Sequence, residues 1–180
     1  MSAFGTLMTM TDRSLGPVVS SAHLASGSFA EVSELEFGLT LAGNAFHRWM
    51  VRAISMAGYP ELGALDVLVL HSVYHRERPK KLADICLVLN VEDTHTVNYA
   101  VKKLIKAGLV KDGRQGKEKT VVATQKGAET CERYREIREA LLLSAVNELG
   151  LEPEQVSRAA AILRLMAGQY DQAARAATTY

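Results

Sequence analysis

Residues 94–110 read THTVNYAVKKLIKAGLV, and the spacing inside this stretch decides the fold. Val97, Ala100, Val101, Leu104 and Ile105 fall at helical spacing and make one apolar stripe. At about 100° per residue, the opposite face carries His95, Tyr99, Lys102 and Lys106, with Thr96, Asn98 and Lys103 beside them. Thr94 joins this polar set at the first turn. A face that merely met water would not need this order. Short and planar hydrogen-bonding groups come first, where a helix entering a major groove meets base edges, and lysines come later, where it meets phosphates. Asparagine is the natural bidentate partner of adenine. Gly108 ends the helix.

Working outward, a helix beginning at Pro79 is expected to bury Leu82, Ile85, Cys86 and Leu89 and to end near Asn90. Arg78, Lys80 and Lys81 at its start would lie across the DNA backbone. An earlier helix runs from about Leu62 to His75. After Gly108, short strands are expected over 109–111 and 120–124, with a glycine-containing turn at 112–116. This hairpin would bring Arg114, Lys117 and Lys119 to neighbouring phosphates or the minor groove.

Charge supports the placement. The chain has 180 residues and a net charge of +1, but the segment from Arg78 to Lys119 carries +5 and the remainder −4. A basic segment in an otherwise acidic chain suits a polyanion-binding face, although a solvated charged surface would look the same.

The flanks are long helices. Ser33-Glu34-Leu35-Glu36 reads as a capping box opening a helix with a stripe of Leu35, Leu39, Ala42, Phe46, Trp49, Ala53 and Met56. Thr124 caps another helix that runs to about Leu149, and Pro153 opens a last one, striped by Val156, Leu163, Met166, Tyr170 and Ala174. These stripes are too long for one small core to cover, which points to a homodimer. The expected organisation is a flexible arm over 1–32, a dimerisation helix over 33–61, a winged-helix domain over 62–125 and C-terminal dimerisation helices over 126–180. The fold class is mostly α with a small β-hairpin.

Leu82-Ala83-Asp84, Thr96-Val97, the run from Lys103 to Val110, and Val121-Val122-Ala123-Thr124-Gln125-Lys126-Gly127 together resemble the MarR family of winged helix-turn-helix regulators. The resemblance covers about Ser33 to Ala176. It implies a transcriptional regulator that binds double-stranded DNA as a homodimer. It also implies a small-molecule effector pocket along the first long helix, for which His47, Trp49 and Arg52 are candidates; dimer packing and surface charge are the other reading of these three. Two departures stand out. Tyr99 occupies a position where the family usually has arginine, and Lys117-Glu118-Lys119 replaces its Asp-Arg-Arg wing motif. The usual minor-groove arginine contact is therefore either lost or taken over by Arg114. A winged-helix module that binds protein and reads no DNA is the alternative.

Other chemistry has little to stand on. The chain contains no Gly-x-Ser-x-Gly, no phosphate-binding Gly-x-x-x-x-Gly-Lys-Ser/Thr, no Gly-x-Gly-x-x-Gly and no His-Glu-x-x-His, so no enzyme, cofactor or metal site is expected. His71 and His75 are spaced like metal ligands but lack a third. The two cysteines, Cys86 and Cys131, form no disulfide framework, and the chain opens without a signal-peptide pattern; a cytoplasmic location is expected.

Overall fold

The computed structural model describes residues 16–180, so the first half of the expected arm lies outside the described residues. The chain divides into two compact units, one ending at Ala140 and the other spanning Leu141–Tyr180. The first unit contains a short 3-10 turn (Ala22–Ala25), α1 (Ala30–Met56), α2 (Ala64–Tyr74), α3 (Leu82–Leu89), α4 (Thr94–Lys106), β1 (Val110–Gln115), β2 (Glu118–Ala123) and α5 (Gln125–Arg138). A π-helical stretch (Glu139–Leu143) follows, then α6 (Ser144–Glu148) and α7 (Pro153–Ala177). Among the described residues no helix is long and apolar enough to cross a membrane.

The core forms where the periodicities converge. Val97, Ala100, Val101 and Leu104 of α4 are buried against α2, which contributes Val67, Val69, Leu70 and Val73. Ile85 and Cys86 close one side, and Leu109, Val110 and Val121 close it beneath the hairpin. The last turns of α1 add Met50, Ala53 and Ile54, and α5 adds Cys131, Tyr134 and Ile137. Burying aliphatic side chains of this size contributes about 1.5–3 kcal/mol each, which is what holds such short helices in place.

Four local expectations are corrected. The Ser33 capping box does not form: α1 starts at Ala30, Ser33 is buried inside it, and the Ser33 hydroxyl donates to the Leu24 carbonyl at 2.7 Å. With Val18 N–H donating to Glu34 at 2.6 Å, residues 18–25 are tied to α1 rather than free. Pro79 does not open a helix, because the Lys80 backbone pairs in both directions with Val121, at 3.0 and 2.8 Å, and holds the chain extended until Leu82. The hairpin turn is also displaced. The strands pair from Val110↔Ala123 to Gln115↔Glu118, leaving only Gly116 and Lys117 in the loop. Gly116 at φ 62° supplies the left-handed residue such a loop needs. Gly113 serves a different purpose, since a Cβ there would lie 2.8 Å from the Thr120 hydroxyl across the ladder. Finally, the helix expected to run unbroken to Leu149 loosens into the π-helical turn at Glu139.

The junction after the wing is the tightest point. Thr124 caps α5, accepting from Gly127 N–H at 3.0 Å. Its hydroxyl donates to the Gly108 carbonyl at 2.7 Å, and its N–H donates to that of Leu109 at 3.0 Å. A Cβ on Gly127 would sit 2.0 Å from the Leu109 carbonyl oxygen. Gly127→Ala is therefore expected to lower stability by at least about 3 kcal/mol, the top of the ordinary range for single changes. Urea unfolding measures this, and an unchanged midpoint would contradict the close approach.

His71 supplies a pH-dependent contribution. Its ring meets Tyr134 edge-on, with centroids 4.8 Å apart, and its Nε2 is buried with no hydrogen-bond partner. Burial holds its pKa below the ordinary histidine value. The unfolded chain thus takes up the proton first, so the stability this neutral ring contributes is present above about pH 6.5 and is lost as pH falls below it. We expect the melting temperature to drop between pH 7.5 and 5.5, and the drop to shrink in His71→Phe. Equal pH slopes for the two proteins would refute this assignment.

Candidate nucleic-acid interface

α4 is built to display its outer face. Asp93 caps it, accepting from His95 N–H at 2.8 Å, and the Thr96 hydroxyl donates to the Asp93 carbonyl at 2.7 Å. With Val97, Ala100, Val101 and Leu104 buried and Lys103 and Ile105 half-buried, Thr94, His95, Thr96, Tyr99, Lys102 and Lys106 are exposed and Asn98 is half-buried. Tyr99 is 67% exposed, too open for the packing role its ring could otherwise fill.

The cations expected at phosphates divide into two groups. Lys102, Lys106, Arg114, Lys117 and Lys119 are exposed, and Arg114 and Lys119 face each other across the ladder next to the loop that holds Lys117. Lys80 is half-buried, its backbone committed to Val121. Lys81 forms an ion pair with Glu118, which raises the lysine's pKa and ties the start of α3 to the wing. Lys103 stands apart from the exposed set. It lies at the half-buried edge of α4, where its Nζ donates to Asp66 at 2.5 Å and to the Glu61 carbonyl at 3.0 Å.

Sequence reading missed Asp66, whose signal was its place three residues after Gly63 at a helix start, where a carboxylate reaches back to the Gly63 N–H (2.7 Å). It also missed Lys126, which donates to the Ala107 carbonyl at 3.0 Å and so caps the C-terminus of α4.

Of the three effector-pocket candidates, Trp49 lines a groove of about 380 Å³ between α1, α2 and α5, together with Phe46, Leu68, His71, Tyr134 and Arg138. His47 and Arg52 are exposed and do not line it. The groove meets the face of α1 centred on residues 46, 49 and 50, and both His47 and Arg52 project roughly 110° away from that centre. Among the described residues no three His, Cys, Asp or Glu side chains gather to hold a metal ion. Cys131 is buried, and its thiol pKa is pushed up to about 12, chiefly by desolvation, which works against a reactive thiolate.

A family model described as a winged helix DNA-binding domain matches residues 62–127. No curated protein matches the chain. Several solved structures share its fold. A cysteine-to-serine variant of MarR from E. coli, complexed with operator DNA, is 19% identical, with TM-score 0.60 over 78% of this chain and 99% of that one. NMB1585, a MarR family regulator from Neisseria meningitidis, is 19% identical, with TM-score 0.59 over 79% of this chain and 95% of its own. CouR from Rhodococcus jostii, bound to p-coumaroyl-CoA, is 17% identical, with TM-score 0.60 over 78% and 96%. Residues 62–127 thus match the model of a winged helix DNA-binding domain, and the chain shares the fold of these MarR-family structures.

Proposed function

We propose that this chain is a sequence-specific DNA-binding transcriptional regulator acting as a homodimer, with α4 in the major groove and the hairpin as its wing. The observation that carries this reading is the outer face of α4. Its inner face is filled by the core, and what remains outside is Thr94, His95, Thr96, Asn98 and Tyr99, followed by Lys102 and Lys106. That order places base-edge chemistry before phosphate chemistry along the helix. Arg114, Lys117 and Lys119 on the wing would add phosphate or minor-groove contacts. The operator-bound MarR relative supports this docking by analogy of fold.

The homodimer rests on uncovered apolar surface. Along α1, Leu39 is 41%, Phe46 51% and Met56 59% exposed, although their spacing marks a single stripe. Val156 and Leu163 on α7 are open as well. A second copy would cover such stripes across a two-fold axis, and the two α4 helices would then meet half-sites about one helical turn apart. For a small-molecule effector we place the site in the groove lined by Trp49, with the ligand-bound CouR relative as support.

Binding selection on random duplexes should return a roughly two-fold symmetric site. Affinity should fall with salt, each neutralised phosphate contributing about 0.9 to the log–log slope. A flat salt response would favour the protein-binding module instead. Light scattering at micromolar concentration should give the mass of a dimer, and a monomer mass would rule the dimer out. Asn98→Ala and Tyr99→Ala should melt within about 0.5 kcal/mol of the parent. Each should lose about 1–3 kcal/mol of discrimination for a bidentate contact removed. If both kept the parent's preference, α4 would not be the reader.

A further inference from the structure

We infer that Asp66 and Lys103 are positioning residues for DNA reading: their ion pair fixes the angle at which α4 is presented, and Lys103 contributes nothing to phosphate binding. The inference rests on the proposed function and assigns a role within it.

The geometry is directional. One carboxylate oxygen of Asp66 accepts both the Lys103 ammonium, at 2.5 Å, and the Gly63 N–H, at 2.7 Å. A second Lys103 hydrogen bond reaches the Glu61 carbonyl at 3.0 Å. Lys103 thus joins α4 to the loop before α2 and to α2 itself, whose Val67, Val69 and Leu70 are fully buried. The Asp66 side chain is 7% exposed and that of Lys103 29%, so water competes weakly for the pair.

The aliphatic contacts of α4 hold it down without fixing its orientation. Val97, Ala100, Val101 and Leu104 make nondirectional contacts that tolerate small rotations. Lys103 lies eight residues beyond His95, about 12 Å at 1.5 Å per residue. Over that lever a tilt of 10° would carry the reading end by about 2 Å, whereas productive contacts need placement within about 0.5 Å. A charged, hydrogen-bonded tie at the far end of the helix removes that freedom.

The test compares DNA affinity, its salt dependence and melting across variants of the full chain, on the selected operator and on random duplex. Lys106→Met is the phosphate reference and should reduce the salt slope by about 0.9 while weakening both DNAs alike. Lys103→Met should leave the slope unchanged and cut the operator-to-random ratio on the order of tenfold, as loss of a charge-assisted contact predicts. Lys103→Arg should keep most of that ratio. Because Lys103→Met strands a buried carboxylate and lowers stability, Asp66→Asn combined with Lys103→Met is the decisive variant. It should melt near the parent temperature and still discriminate poorly. If its discrimination recovered along with its melting temperature, the pair would be merely structural. If Lys103→Met lowered the slope as Lys106→Met does, Lys103 would be a phosphate contact. Either result overturns the inference alone. Equal affinity of the unaltered protein for every duplex would overturn the proposed function, and this inference with it.

Discussion

The carbonyl of Leu109 is the point on which the winged-helix unit closes. It accepts from the Thr124 N–H at 3.0 Å, the Thr124 hydroxyl donates to the neighbouring Gly108 carbonyl at 2.7 Å, and Gly127 lies against the Leu109 oxygen where no side chain fits. The end of α4, the root of the wing and the first turn of α5 all meet at this oxygen. The hairpin therefore cannot swing away from α4 without breaking a buried polar contact. Lys126, one residue before Gly127, secures the same corner from the other side by capping Ala107. α4 is thus fixed at its C-terminus by backbone chemistry and on its flank by Asp66.

This internal anchoring changes what the charge pattern means. The basic segment looked uniform as a sequence, yet its lysines do different work. Lys103 neutralises a nearly buried aspartate and Lys81 pairs with Glu118 in the wing. What remains toward solvent is Arg78 before α3, Lys102 and Lys106 on α4, and Lys111, Arg114, Lys117 and Lys119 on the hairpin. A protein of net charge +1 has no strong global attraction for a polyanion. Any attraction is then local, from the exposed cations of this segment, and local fields are what a Debye length of about 8 Å leaves effective at physiological salt.

The parts of the fold that repeat were legible in the sequence. The α4 stripe of Val97, Ala100, Val101 and Leu104 is buried as its spacing required, Gly108 ends the helix and Pro153 opens the last one. What escaped was set by contacts between distant residues. Ser33 looked like a cap and instead bonds to Leu24, nine residues back. Pro79 looked like a helix start, but Val121, far along the chain, holds its neighbour Lys80 extended. Gly113 looked like a turn glycine, and the close approach of Thr120 explains it instead. Lys103 carried the same local signal as Lys102, and only Asp66, 37 residues away, tells them apart. Local chemistry named the exposed face of α4; tertiary pairing decided which side chains beside it are held.

One helix joins the two halves of the proposed mechanism. α1 spans 27 residues, about 40 Å at 1.5 Å per residue. Its last turns, with Met50, Ala53 and Ile54, are sealed into the core beside α2, whereas Leu39 and Phe46 upstream are open. In the proposed dimer a partner covering the open part would hold a rigid rod whose other end is packed against the helix that carries Asp66. The angle between subunits would therefore reach α4 through α2 and the Lys103 contact, without requiring any flexible link. The groove lined by Trp49, Leu68 and Tyr134 lies at the joint where α1, α2 and α5 converge. A ligand wedged there would act on the rod where it enters the core, and so on the spacing of the two reading helices.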